Sequence, residues 1–369
     1  MSTSWPLMPF QSYALGAPSQ AMMEVLISGA IPLSQFYGYG GRSDADTMLF
    51  LPEQASYRPS GETEWRSVPL DFFRKAFVGG QGESKAVLRK RRLGDEFPEA
   101  MTLRLQGVDA PELHYEPVPA IAPEKMSPEA RTRWIHLEDL QFRQNGSIQA
   151  TCAVAGALSL FASRKDLRTA AVAHSWVTSP GDLFDVYGRF VSEVLVGPEM
   201  ASVNLWMLAQ GWALPSYYTS MSHEEIRRAH GASEEARETG RGLWGRYTDR
   251  IPYFDPDLRL PPSDEAEIPA SADATGPFAD PKLFRQQVHF NANRIAGLIP
   301  QKMTFQDHLR KKSESWIGRE AFLQGSEERH PLAEVVDERG CVLVPPWERV
   351  YLERPAVLKD GDGNEIEAF

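Results

Sequence analysis

The sequence predicts an α+β fold, because short alternating stretches and helical stretches interleave through its middle part. Met101 to Val108 puts Met101, Leu103 and Leu105 on one face, which is the period of a half-buried strand. Thr169 to Val177 and Arg189 to Val196 alternate in the same way. Two helical patterns lie among them, one over roughly 147–163 and one opened by the capping box Ser222-His-Glu-Glu225.

The elements follow in order. Residues 1–71 are aromatic and carry the glycine-rich turn signal Phe36-Tyr-Gly-Tyr-Gly-Gly41, with short strands expected at Met48 to Leu51 and Trp65 to Val68. No role is assigned to this N-terminal region. A more regular domain is expected over 72–250. It starts with an exposed strand at Lys85 to Lys90 and continues through Met101 to Val108. A proline-rich segment with a polar helix occupies 114–145, and Asn145-Gly-Ser147 caps the helix that follows. After the strands at 169–177 and 189–196, Val203 to Gly211 reads as a short helix ended by glycine. The helix opened by Ser222 runs to about Thr239, where Gly240 and Gly242 stop it. Residues 251–281 are rich in Pro, Asp, Ala and Ser and read as a linker. A C-terminal α+β region fills 282–369, with a basic helical part and then short strands around Pro345-Pro-Trp347. Eight basic residues against two acidic ones give 281–319 a net charge of +6.

Composition narrows the function classes. The 369 residues carry a net charge of −11, so any nucleic-acid site has to be a local basic patch on an acidic body. Cys152 and Cys341 lie far apart without a partner at metal-ligand spacing and read as reduced thiols. The longest apolar run, Ala153 to Ala162, is too short to span a bilayer, and Met-Ser-Thr-Ser-Trp-Pro lacks the basic start of a secretory signal. A cytoplasmic protein without membrane association is expected. Trp206, Trp212 and Trp244 are expected in the core.

The chemistry concentrates in Met101-Thr-Leu-Arg-Leu-Gln-Gly-Val-Asp-Ala-Pro-Glu112, which places Arg104, Asp109 and Glu112 within nine residues. Phosphodiester hydrolysis needs such parts: a cation for the phosphate, an acid to hold a metal and a base to activate water. Asp185-Val-Tyr-Gly-Arg-Phe190 adds a second arginine, Arg189.

Together these segments resemble the staphylococcal nuclease (thermonuclease-like) family over about residues 72–247. The order of parts carries the resemblance. It runs strand, Arg104 to Glu112, helix, strand, Tyr187-Gly188-Arg189, strand, the short helix of Asn204 to Trp212, and the capped helix from Glu225 to Leu243-Trp244. The resemblance implies an OB-type five-stranded β-barrel capped by helices. It implies Glu112 as general base and Arg104 and Arg189 as the forks that bind the scissile phosphate. It implies Ca2+ held by Asp109 beside the carbonyl of Ala110, oxygen ligands that suit this hard cation. Tyr187, Tyr217 and Tyr218 fall where the family places aromatics near the nucleotide. Members begin the first hairpin with Asp-Gly-Asp-Thr. The local match is taken at Gln81-Gly-Glu-Ser84, which makes Glu83 the second metal ligand, followed by Lys85 in a basic run suited to backbone phosphates. The activity implied is metal-dependent endonucleolytic hydrolysis of DNA or RNA with little sequence preference, with Ca2+ or another divalent metal as cofactor. The alternatives are a nuclease-like scaffold that binds nucleic acid or protein, and a defence or toxin effector held in check by its flanks, which would also be the place for a protein partner.

Overall fold

The computed structural model describes residues 23–36, 41, 43–70, 72, 77–79, 100–137, 140–250, 276–353 and 356–359. Five strands close a barrel: β1 (Met23–Pro32), β2 (Thr47–Pro59), β3 (Met101–Leu105), β4 (Arg168–Val177) and β5 (Phe190–Val196). Around the barrel the order is β1-β4-β5-β3-β2, and β2 pairs back with β1. All pairs are antiparallel except β3 and β5, which run parallel with Arg104 opposite Val191. Val25, Ile27, Phe50, Leu103, Phe190 and Val194 are fully buried in the main core. This is the OB-type barrel that the sequence led us to expect.

Its first two strands lie upstream of the expected start. β1 and β2 come from the region to which no role was assigned, and the short strand expected at Met48 to Leu51 is part of β2. The long connection between Pro59 and Met101 displaces the opening hairpin from the motif at 104–112, so proximity in sequence misdirects the reading. β1 also carries a glycine in mid-strand. The register shifts between Ser28 and Gly29, and a Cβ on Gly29 would lie 2.2 Å from the Leu51 carbonyl oxygen, so the close approach of β1 and β2 requires glycine. The strand expected at Lys85 to Lys90 lies outside the described residues.

Helix α1 (Pro128–Ile135) lies outside the main core, whereas α2 (Ser147–Ser159), α3 (Val203–Ala209) and α4 (His223–Glu238) pack into it. The capping box of α4 forms as expected, with Ser222 Oγ accepting from the Glu225 N–H and Glu225 Oε2 accepting from the Ser222 N–H. Asn145 does not cap α2; Gly146 does, at φ 87°, with no side-chain bond. The Asn145 amide donates instead to the Pro277 carbonyl at 3.2 Å, because the chain returns there from the C-terminal region. Trp206 and Trp244 are buried and Trp212 packs partly buried on the core, as expected.

The C-terminal residues are built onto the barrel domain. Helix α5 (Pro281–Ala296) sets Ala292 and Ala296 against Ala130 and Trp134 of α1, and Phe284 and Val288 against Phe142. A four-stranded sheet runs Tyr217–Tyr218, Arg349–Tyr351, Ser315–Gly318, His330–Pro331, so one of its edges belongs to the barrel domain. Cys152 and Cys341 are not joined in a disulfide. No described helix is long and apolar enough to cross a membrane.

Candidate active site

Three barrel segments converge on one rim. Thr47 at the start of β2 lies opposite Arg104 of β3, and β5 begins one residue after Arg189. The turn before β5 is fixed by Asp185, whose Oδ1 accepts from the Tyr187 and Arg189 N–H groups at 2.9 and 3.0 Å. Asp185 Oδ2 then holds Arg189 Nε at 2.7 Å, and Arg189 Nη1 donates to Thr47 Oγ1 at 3.0 Å. Both predicted arginines therefore flank Thr47.

The acid segment follows a tight turn after β3. Gly107 takes φ 74°, and Val108–Asp109 then pairs with Leu214–Pro215. Asp109 is buried, 3.9 Å from Arg104 Nη2. Glu112 is anchored through its backbone: its N–H donates to Gln144 Oε1 at 3.1 Å and its carbonyl accepts from the Gln144 N–H at 2.8 Å. Gln144 is itself held by the Ala279 carbonyl at 2.9 Å.

Three side chains that the sequence reading did not assign complete the centre. Asp46 is buried beside Asp109, and its Oδ2 accepts from the Ala110 N–H at 3.1 Å. Asp44 Oδ1 accepts from the Leu113 N–H at 3.0 Å and Oδ2 lies 3.7 Å from His114 Nε2. Asp44-Ala-Asp46-Thr47 is thus the Asp-x-Asp-Thr pattern that was sought at 81–84. Its signal was present in the sequence, and only its distance from Arg104 hid it. Glu83 and Lys85 lie outside the described residues, and Asp46 is the acid that adjoins Asp109. The third side chain is Arg285 of α5. Its Nη1 and Nη2 donate to Asp109 Oδ1 and Oδ2 at 3.1 and 3.3 Å, and Nη1 also pairs with Glu112 Oε1. In the sequence Arg285 was one basic residue among eight.

The tyrosines divide. Tyr187 is 76% exposed with the Arg189 guanidinium 5.3 Å over its ring, where a base could reach it. Tyr217 is fully buried, with its hydroxyl 3.2 Å from His230 Nδ1, so it offers no face to a nucleotide. Strand pairing turns it inward, because alternate residues face opposite ways. Tyr218 lies 3.5 Å from Arg104 Nη2 and packs on Tyr351, with ring centroids 6.0 Å apart.

Burial sets the electrostatics. It pushes the Glu112 carboxyl up to about 7, with Asp44, Asp46 and Asp109 adding to the rise and Arg285 opposing it. Burial likewise raises Asp46, against the pull of Arg104. Burial works against the charge of Arg104 and Arg285, but surrounding acids and Tyr218 outweigh it and hold both guanidiniums above their ordinary value. A base that titrates near neutrality next to two fixed cations suits proton removal from a nucleophile that attacks an anion.

The donor set does not fit the expected calcium as it is arranged. Both Asp109 oxygens accept from Arg285, Asp46 Oδ2 from Ala110 and Asp44 Oδ1 from Leu113. Among the described residues, no three His, Cys, Asp or Glu side chains are grouped so that they could hold a metal ion.

Residues 102–246 match the family described as staphylococcal nuclease homologue, so the chain contains a domain of that family. The matched segment holds β3, β4 and β5, while β1 and β2, which close the barrel, precede it. No curated protein matches the chain.

Proposed function

We propose that this staphylococcal nuclease homologue domain is a phosphodiesterase that cuts DNA or RNA internally with little sequence preference. The observation that carries the reading is the junction at one barrel rim of Arg104, Arg189 and a Glu112 poised to titrate near neutrality. Water attacks phosphorus in line, Glu112 takes its proton, the bond to the 5′ oxygen breaks and that oxygen takes a proton from solvent and leaves as a hydroxyl, so the phosphate stays on the 3′ end. Arg104 and Arg189 meet the charge that builds on the non-bridging oxygens, and their planar forks match two oxygens at once. Asp185 and Thr47 keep Arg189 in place before substrate arrives, which is the preorganisation that makes such charges effective. Tyr187 supplies an exposed ring beside Arg189 on which a base stacks. No step is routed here through a metal ion: Arg285 engages both oxygens of Asp109, and the Ala110 N–H engages Asp46 Oδ2.

The test is degradation of plasmid, single-stranded DNA and RNA by the full chain, with calcium or with chelator, next to Glu112→Gln. Glu112→Gln should lower the rate by about 10²–10⁴-fold, and Arg189→Ala by about 10²–10³-fold. Retained binding without cleavage in the unaltered chain would favour a nucleic-acid scaffold instead. Equal rates in all three proteins would end the assignment of these residues.

A further inference from the structure

Arg285 lies outside the segment that matches the nuclease family, yet it sits in the middle of the acid pair. Its guanidinium spans both oxygens of Asp109 and reaches Glu112, which is bidentate recognition of one carboxylate with a third contact to another. The helix that carries it is no loose lid. Leu283, Phe284, Val288 and Ala292 of α5 are buried in three separate apolar clusters. Asp280 caps the first turn of α5 and pairs with the fully buried Arg349 at 2.6 Å, one turn before Arg285. The Arg285 side chain keeps 19% of its exposure and that of Glu112 keeps 14%, so solvent reaches the pair.

We propose that Arg285 is the resident cation of this site and takes the place that a divalent metal would hold between the acids. This rests on the phosphodiesterase reading for its catalytic consequence, but the binding consequence stands alone. Arg285 acts as a positioning residue. It fixes the Glu112 carboxylate, neutralises Asp109 and leaves Arg104 and Arg189 to meet the phosphate. A guanidinium stays charged at every working pH and needs no supply of metal. Its removal uncovers two carboxylates with oxygens of the kind that calcium prefers.

The experiment pairs cleavage with thermal unfolding, each in chelator and in millimolar calcium, for the full chain, Arg285→Gln and Arg285→Lys. The expected result has four parts. The unaltered chain cleaves equally in chelator and calcium, and its Tm is the same in both. Arg285→Gln loses about 10²-fold in chelator. Calcium raises the Tm of Arg285→Gln and restores part of its rate. Arg285→Lys keeps the charge and does not respond to calcium. Three results would overturn the proposal: a calcium requirement or calcium stabilisation in the unaltered chain, a gain of activity in Arg285→Gln, or no calcium response in Arg285→Gln. If no protein cleaves under any condition, the phosphodiesterase reading fails. The Tm comparison then still decides whether Arg285 holds a cation site. If Arg285→Gln does not fold, the calcium response of the unaltered chain decides.

Discussion

Glu112 combines two roles that pull in opposite directions. Proton removal needs its charged form, while burial among Asp44, Asp46 and Asp109 favours the neutral one and places its titration near 7. The cleavage rate should therefore rise as pH increases through about 7 and level off above it. A pH–rate profile at saturating substrate checks this, and a flat profile between pH 5 and pH 9 would remove Glu112 as the base. The stability sign runs the other way. The folded carboxyl binds its proton more tightly than its ordinary value of 4.5 implies, so stabilisation present at acid pH is lost as pH rises from 4.5 through about 7. Glu112→Gln should flatten this decline, which denaturant titrations at acid and neutral pH would reveal.

At the scale of elements, α5 decides how the site is furnished. Its N-cap Asp280 accepts from the Lys282 and Leu283 N–H groups at 2.8 and 3.3 Å while pairing with Arg349. Arg349 is fully buried and also donates to the Tyr351 hydroxyl at 2.7 Å and to the Val344 carbonyl. Asp280→Ala removes the cap and leaves a buried guanidinium without its charge partner, a loss of about 3–5 kcal/mol. Asp280→Asn keeps the cap and should cost less. Equal stability of Asp280→Ala and the unaltered chain in a urea titration would show that α5 is not seated through this pair. The start of α5 also lies close to Gln144 and so to Glu112, because Ala279 holds the Gln144 amide. One helix start thus supports both the base and its cation.

Over the whole molecule, the C-terminal region and the barrel domain share surfaces. Trp134 of α1 is 2% exposed and packs against Ala292, Ala296 and Leu298. Tyr115 Oη contacts His289 Nε2 at 2.5 Å, and the Val118 N–H donates to His289 Nδ1 at 3.1 Å. The proline-rich segment at 114–145 therefore serves as the seat of α5. Burial holds His289 down to about 4, which keeps it neutral and able to accept from Val118 at neutral pH. Trp134→Ala should cost about 3–5 kcal/mol, and calorimetry of the unaltered chain should show one transition for barrel and C-terminal region. Two separated transitions would mean that the shared surfaces are weak. The packing of Tyr218 on Tyr351 belongs to the same scale, since it joins the barrel domain to the C-terminal sheet beside Arg104.

The sequence by itself determined what depends on short range. Strand alternation over 101–105, the reciprocal cap at Ser222 and Glu225, and the grouping of Arg104, Asp109 and Glu112 all act within a few residues. Such patterns are read from period and spacing because neighbours in the chain are neighbours in space. Asp46 was legible as a pattern but not by position, since the connection after β2 breaks the link between order and distance. Tertiary structure alone decided the rest. Tyr217 turned inward because of the strand it pairs with, and β1 joined the barrel because its edges fit β2 and β4. Arg285 reached Asp109 across 176 residues. Its place depends on three apolar contacts of α5 and one buried ion pair, and nothing in the composition around Arg285 sets it apart from the other basic residues of that stretch.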